Sequence, residues 1–351
     1  MLVSPIKIFQ QNKSADKSQK HQCCRLLSFK STSAGAPLKN LKNITDPYFG
    51  ELLIPIVEFL KFEKVLDTKN TVKQTVPALN KFRINMQVVE KAIFDAFQKA
   101  APDANRLQFN DLLKMWYDKA LIRLKLEEFS VLDEIDKLSM SLDPETTFQV
   151  RKQVTHCRQL LDNPNDTFKR KTVIDSIEQI NPKSGEEEVL EVLKKRANYL
   201  PTSNTSINAF IVKYASRSHN EIAKRLIRAS VQSIEHIKPD SLGGENLLDN
   251  FMLASASANS LRGNMPLPDF IEMFPNIVQN CQKYIEDIIR VIHKGGLKGH
   301  QAYPYKVAKT LETESEGLIK LNLSSFGYTE EEALILERKP KYKTREKIFI
   351  C

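Results

Sequence analysis

Apolar residues recur at helical spacing along residues 46–200. In VVEKAIFDAFQKA, five of them fall at the spacings that one face of an α-helix presents: Val88, Val89, Ile93, Phe94 and Phe97. The stretch FNDLLKMWYDKALIRL continues with strong helix formers and charges of both signs. Pro144 and the PKSG segment at residues 182–185 interrupt the pattern. The sequence therefore predicts several helices in this region.

The pattern changes after residue 230. The stretch SVQSIEHIKP carries β-branched residues in a short run, and DSLGGEN contains two adjacent glycines, Gly243 and Gly244, that favour a tight turn. FMLASASANSLRGN is typical of a short apolar strand that passes into a helix of small residues. The expected fold class is therefore α+β and mostly α-helical, with a small strand–strand–helix (ββα) core flanked by helical regions.

Basic side chains outnumber acidic ones. The 351 residues include 52 Lys and Arg against 43 Asp and Glu, which gives a formal net charge of +9. Residues 1–45 hold eight basic side chains and one acid, so most of the excess is local. We predict a flexible basic arm there, and an organellar transit peptide of similar composition is the alternative. The charge favours an anionic partner without separating nucleic acid from an acidic membrane.

Cysteine usage and hydropathy exclude several classes of protein. The cysteines include no CxxC pair, so no structural zinc is expected. Their low density is typical of a reducing compartment. The longest apolar runs are far shorter than the roughly 20 residues of a membrane-spanning helix, and no secretory signal is evident. We therefore expect a cytoplasmic protein with no membrane partner. The five cysteines are Cys23, Cys24, Cys157, Cys281 and Cys351.

Polar residues that could act in catalysis or in metal binding stand at wide spacing in the predicted ββα segment. Glu235 and His236 end the first strand, and Asn250 follows 14 residues after the histidine. Asn259 follows nine residues later on the predicted helix, with Arg262 one turn beyond it on the same face. Carboxylate and amide oxygens suit a hard cation such as Mg²⁺. An imidazole is the usual general base near neutral pH.

The pattern EHIKP…GG…N…AN..RGN resembles the HNH nuclease motif, which is also called the ββα-metal fold. Asn259 stands where many members have histidine, which is similar to the His-Asn-Asn variant in the HNH domain of RNA-guided CRISPR effector nucleases. The resemblance covers residues 205–275, about a fifth of the chain. The chain lacks the two zinc-binding CxxC pairs of many members, and it has Glu235 where the closest relatives have aspartate.

The resemblance implies a metal-dependent endonuclease that hydrolyses phosphodiester bonds, with Mg²⁺ or Mn²⁺ as its cofactor. It implies that Glu235 and Asn259 are the metal ligands and that His236 is the general base. Asn250 is expected to buttress the loop and to orient His236 through hydrogen bonds. Arg262 is expected to contact the scissile phosphate. Double-stranded DNA is the partner that family analogy favours.

The expected organisation has four regions. A basic arm spans residues 1–45, and a helical domain for DNA positioning or partner binding spans 46–200. The nuclease domain covers 201–275, followed by a helical and mixed extension at 276–351. His219 is expected to begin a helix rather than to join the site.

Three hypotheses of function follow. The first is a nuclease in restriction, phage defence or a mobile element, with residues 46–200 binding a protein partner or a second copy. The second is a non-catalytic nucleic-acid-binding or scaffold protein that retains an HNH-like core. The third is a wholly helical RNA-coating protein, for which the spacing of Glu235, His236, Asn250 and Asn259 would be coincidental.

Overall fold

The computed structural model describes residues 33–39, 41–162 and 167–338. Most of the predicted basic arm and the last thirteen residues therefore lie outside the described residues. The described chain is mostly helical, with fourteen α-helices and one two-stranded sheet. This confirms the mostly α-helical α+β class. Within the same residues, no helix combines the length and the apolar character that crossing a membrane requires.

The chain divides into two compact units, each built from separate stretches of sequence. The second unit contains Lys42–Ser233 and Ala254–Leu261. The first unit contains the described parts of Met1–Leu41, Ile234–Leu253 and Arg262–Cys351. Residues 201–275, expected from the sequence to form one domain, therefore contribute to both units.

Nine helices of the described chain lie wholly in the second unit. Their starts follow ordinary capping chemistry: Asp143 accepts the N–H of Glu145 just before α5, and Ser218 and Glu221 form a reciprocal capping box at α9. The helices are α1 (Ile56–Leu66), α2 (Val72–Asn80), α3 (Val88–Ala100), α4 (Phe109–Ser139), α5 (Pro144–Leu160), α6 (Thr167–Glu178), α7 (Glu187–Ala197), α8 (Ile207–Tyr214) and α9 (His219–Arg228).

The long helix α4 is the centre of this unit. It packs against α5, α7 and α8, and α6 packs against α5 and α7. Because each helix buries one apolar stripe, the enclosed side chains form a continuous core. Burial also raises the pKa of the Cys157 thiol to about 11, so this cysteine is a packing residue rather than a nucleophile. The core includes Leu132, Ile135, Val150, Val154, Cys157, Ile177, Leu190 and Leu193.

The predicted apolar stripe of α3 is correct except at its first residue. Val89, Ile93 and Phe97 are buried, but Val88 is 81% exposed. At about 100° per residue, Val89, Ile93 and the phenylalanines fall on one broad face of α3, and Val88 lies on the opposite side of the helix. The face that holds the two phenylalanines determines the orientation, and Val88 points away from it.

The predicted strand–strand–helix order is present. Strand β1 (Gln232–His236) pairs with β2 (Phe251–Ser255), and α10 (Ala256–Arg262) follows β2 directly. The two glycines of the connecting loop are required by the backbone. Gly243 has a φ of +82°, and a Cβ on Gly244 would lie 1.9 Å from the carbonyl oxygen of Lys238.

Buried tyrosines support the start of β2 within the first unit. The Tyr303 hydroxyl donates to the carbonyl of Phe251 over 2.7 Å, and the Tyr284 hydroxyl oxygen accepts the N–H of Leu253 over 3.1 Å. The two hydroxyls are 2.9 Å apart and bond to each other. Burial raises the pKa of Tyr284 to about 12. Four helices belong to this unit: α11 (Leu267–Met273), α12 (Ile277–His293), α13 (Tyr303–Glu314) and α14 (Glu330–Arg338).

Candidate functional site

Glu235 and Arg262 form a buried ion pair at the end of β1. Glu235 is 4% exposed and Arg262 is 2% exposed. Arg262 Nη1 donates to Glu235 Oε1 and to the carbonyl oxygen of His236, each over 2.7 Å, and Nη2 donates to the carbonyl of Ile237. Arg262 is thus directed into the protein, which differs from the phosphate-contacting position that the resemblance implies.

His236 follows the buried Glu235 and is half-buried. Its Nε2 lies 3.0 Å from Oδ1 of Asn246, and its ring meets the Phe251 ring edge-on at 4.6 Å between centroids. Since an amide oxygen only accepts, Nε2 carries the proton in this contact. In the neutral ring, the lone pair is therefore on Nδ1. The imidazole is oriented by one polar contact and one aromatic contact.

Asn250 closes the loop between the strands. Its Oδ1 accepts the N–H of Lys238 over 2.8 Å, and its Nδ2 donates to the carbonyls of Lys238 and Glu245. The side chain is buried, so these bonds satisfy its amide. Asn250 therefore has a loop-buttressing position, while the side-chain bond to His236 comes from Asn246.

Asn259 belongs to the second unit. It is half-buried on α10, and its Nδ2 donates to Oγ of Ser233 over 2.8 Å. Of the five residues selected from the sequence, four lie together in the first unit. These four are Glu235, His236, Asn250 and Arg262.

The donor chemistry of Glu235 suits a hard cation. Within the described residues there is no group of three or more His, Cys, Asp and Glu side chains that could hold a metal ion. A carboxylate can nevertheless accept a hydrogen bond and bind a cation at the same time. Carboxylates that bind metal ions are commonly oriented by such hydrogen bonds. Arg262 fits this orienting role. Its positive charge also lowers the cation affinity that Glu235 would have alone.

His219 lies in the core of the second unit. Its Nδ1 accepts the N–H of Phe109 over 3.0 Å, so Nε2 donates to Thr75 Oγ1 over 2.8 Å. Its ring also stacks on that of Phe109. It is the first residue of α9, as expected from the sequence. Burial lowers the pKa of His219 to about 4 because the core disfavours a charged ring.

We expect His219 to make the fold sensitive to mild acid. The unfolded chain binds a proton at this residue near pH 6.5 and the folded chain only near pH 4. Its contribution to stability is therefore complete above pH 6.5 and is lost as the pH falls towards 4. Between pH 7.5 and pH 5 the loss should be on the order of 2 kcal/mol. Denaturant unfolding at these two pH values measures it.

The matched controls for this effect are His219→Phe and His156→Gln. His219→Phe keeps a stacking ring but cannot be protonated, so it should lose that part of the pH dependence. His156 is exposed on α5 and its replacement should leave the dependence unchanged. Equal pH dependence in wild type and His219→Phe would contradict the prediction.

Two polar contacts around the strands were not predicted from the sequence. Asn246 is an exposed loop residue, and nothing in the local pattern distinguishes it from its polar neighbours. Asp46 lies 209 residues before Ser255, and its Oδ2 accepts the Ser255 N–H over 2.8 Å within the second unit. Burial raises the pKa of Asp46.

Three comparisons with known proteins found no match for this chain. No family model, no curated protein and no solved structure matches this chain.

Proposed function

We propose that this chain is a metal-dependent HNH endonuclease that hydrolyses phosphodiester bonds, with double-stranded DNA as its substrate. The setting of His236 carries the proposal. The imidazole is half-buried at the end of β1, held by Asn246, and directly follows the buried Glu235–Arg262 pair. Hydrolysis of a phosphodiester needs a group that takes a proton from water and a ligand for the cation, and an oriented imidazole and a fixed carboxylate can supply these two functions.

His236 serves as the general base in this proposal. Since Asn246 holds the proton on Nε2, Nδ1 can take a proton from the attacking water. The water oxygen then bonds to phosphorus as the bond to the leaving oxygen breaks. A bound divalent cation would supply charge neutralisation at the phosphate and at the leaving oxygen. Glu235 would hold that cation, with Arg262 fixing the carboxylate.

The substrate class is supported by charge and by analogy. The net charge of +9 favours a polyanion, and phosphate contacts position a nucleic acid without reading its sequence. One such site cuts one strand at a time. Nicked duplex DNA is therefore the expected first product.

We expect purified protein to nick supercoiled plasmid DNA in Mg²⁺ or Mn²⁺ and to be inactive in EDTA. Conversion of supercoiled to open-circular plasmid on agarose gels measures it. Heat-denatured protein and a reaction with Zn²⁺ in place of Mg²⁺ serve as controls. Absence of nicking by the folded protein in both cations would overturn the proposal and would favour the non-catalytic nucleic-acid-binding hypothesis.

A further inference from the structure

A second candidate site lies in the first unit. It is a cavity of about 460 Å³ at the end of α12, within the size range of small-molecule sites. No residue of the proposed catalytic set lines it. The residues that matter for its chemistry are Ile292, His293, Lys298, Gln301, Tyr328 and Leu336.

Two aromatic rings of the cavity are held in place by Phe326, which is fully buried. His293 stacks on Phe326 at 6.0 Å between centroids, and its Nε2 lies 2.9 Å from the Phe326 carbonyl. Tyr328 meets Phe326 edge-on at 5.5 Å and is 44% exposed. Tyr328 therefore offers a fixed, accessible aromatic surface of the kind on which nucleobases stack.

Two polar groups of the cavity, Gln301 Oε1 and the Lys298 ammonium, lack partners within the described chain. Gln301 Oε1 is a buried atom with no hydrogen-bond partner there, although buried polar atoms are nearly always bonded. Lys298 is exposed and forms no ion pair with the described residues. Gln301 in the cavity wall thus carries an acceptor that needs an N–H donor, and Lys298 carries an ammonium that can meet an anion.

The glycines of the neighbouring loop have a separate explanation. The N–H groups of Gly295 and Gly296 donate to the carbonyls of Ile292 and Val291, which caps the C-terminus of α12. A Cβ on Gly296 would lie 2.4 Å from the Val291 side chain. The helix end requires these glycines, but it does not require Lys298.

We infer that this cavity binds an unpaired nucleotide. The base stacks on Tyr328 beside His293, its exocyclic amino group donates to Gln301 Oε1, and its phosphate lies against Lys298. A nucleotide within a single strand and a free nucleotide share this chemistry. The inference does not rest on the nuclease proposal, because binding needs no divalent cation.

Fluorescence anisotropy in EDTA tests the inference with the full chain. The probes are labelled (dC)12 and (dT)12, because cytosine carries an exocyclic amino group where thymine has a carbonyl. Free dCTP is the competitor that separates the two sources of the nucleotide. We expect (dC)12 to bind about tenfold more tightly than (dT)12. Tyr328→Ala should weaken (dC)12 binding about tenfold, and Tyr328→Phe should restore it.

Matched variants separate the site from general surface effects. Gln301→Met should abolish the preference for (dC)12, and Lys298→Ala should weaken both probes. Tyr199→Ala and Lys320→Ala change exposed residues outside the cavity and should bind like wild type. Competition by dCTP would assign the site to a free nucleotide. A lack of competition would assign it to a nucleotide within a single strand of nucleic acid. No binding of any probe, or equal binding by Tyr328→Ala and Tyr199→Ala, would overturn the inference.

Discussion

Replacing His236 with alanine is expected to reduce plasmid nicking by about a hundredfold to ten-thousandfold, the usual contribution of a general base. The imidazole ends β1 with its Nε2 held by Asn246, so its removal takes away the proton acceptor at Nδ1. Binding of uncleaved duplex should persist, because the substitution removes no fixed positive charge. Initial rates of nicking in Mg²⁺ and duplex binding in EDTA measure the two quantities separately.

A control and a graded variant make this prediction specific. His156→Ala changes an exposed histidine on α5 and should leave nicking unchanged. Asn246→Ala should reduce nicking roughly tenfold, because it removes the bond that orients His236 but leaves the base in place. Nicking by His236→Ala at the rate of His156→Ala would exclude His236 as the base. Equal losses in His236→Ala and Asn246→Ala would assign the effect to the loop rather than to the ring.

The helical regions and the ββα order were predictable because local patterns specify them. β-branched residues around Ile234 and the pair Gly243–Gly244 predict a strand and its turn, and the structure has both. The loop between the strands was less predictable. It carries several polar residues, and which of them reaches His236 depends on backbone geometry that no sequence period encodes. Asn250 was selected, whereas Asn246 forms the bond.

Contacts between distant parts of the sequence account for the remaining differences. Asp46 caps the end of β2 from 209 residues away, and no spacing rule connects such positions. The spacing places Arg262 on the same helical face as Asn259, but it does not predict where the Arg262 side chain points. It turns inward because Glu235 and two backbone carbonyls accept hydrogen bonds from its two terminal nitrogens.

The second large effect is expected on stability, at the buried ion pair of Glu235 and Arg262. Arg262→Met is expected to lower the free energy of unfolding by about 3–5 kcal/mol, because it leaves the Glu235 carboxylate buried without its cation. The carbonyls of His236 and Ile237 also lose their donors. Guanidinium denaturation of the metal-free protein, followed by circular dichroism, measures the loss. Arg151→Met is the matched control, since it removes an exposed pair with Asp136 and should cost less than about 1 kcal/mol.

The double variant Glu235→Gln with Arg262→Met distinguishes an ion pair from two independent residues. Removing both charges eliminates the unpaired carboxylate, so the double variant should be more stable than Arg262→Met alone. Additive losses would show that Glu235 and Arg262 act separately. If Glu235 served only to bind a cation, Arg262→Met would leave the metal-free protein as stable as Arg151→Met. The measured difference in stability would therefore show whether Arg262 holds the Glu235 carboxylate in the absence of a cation.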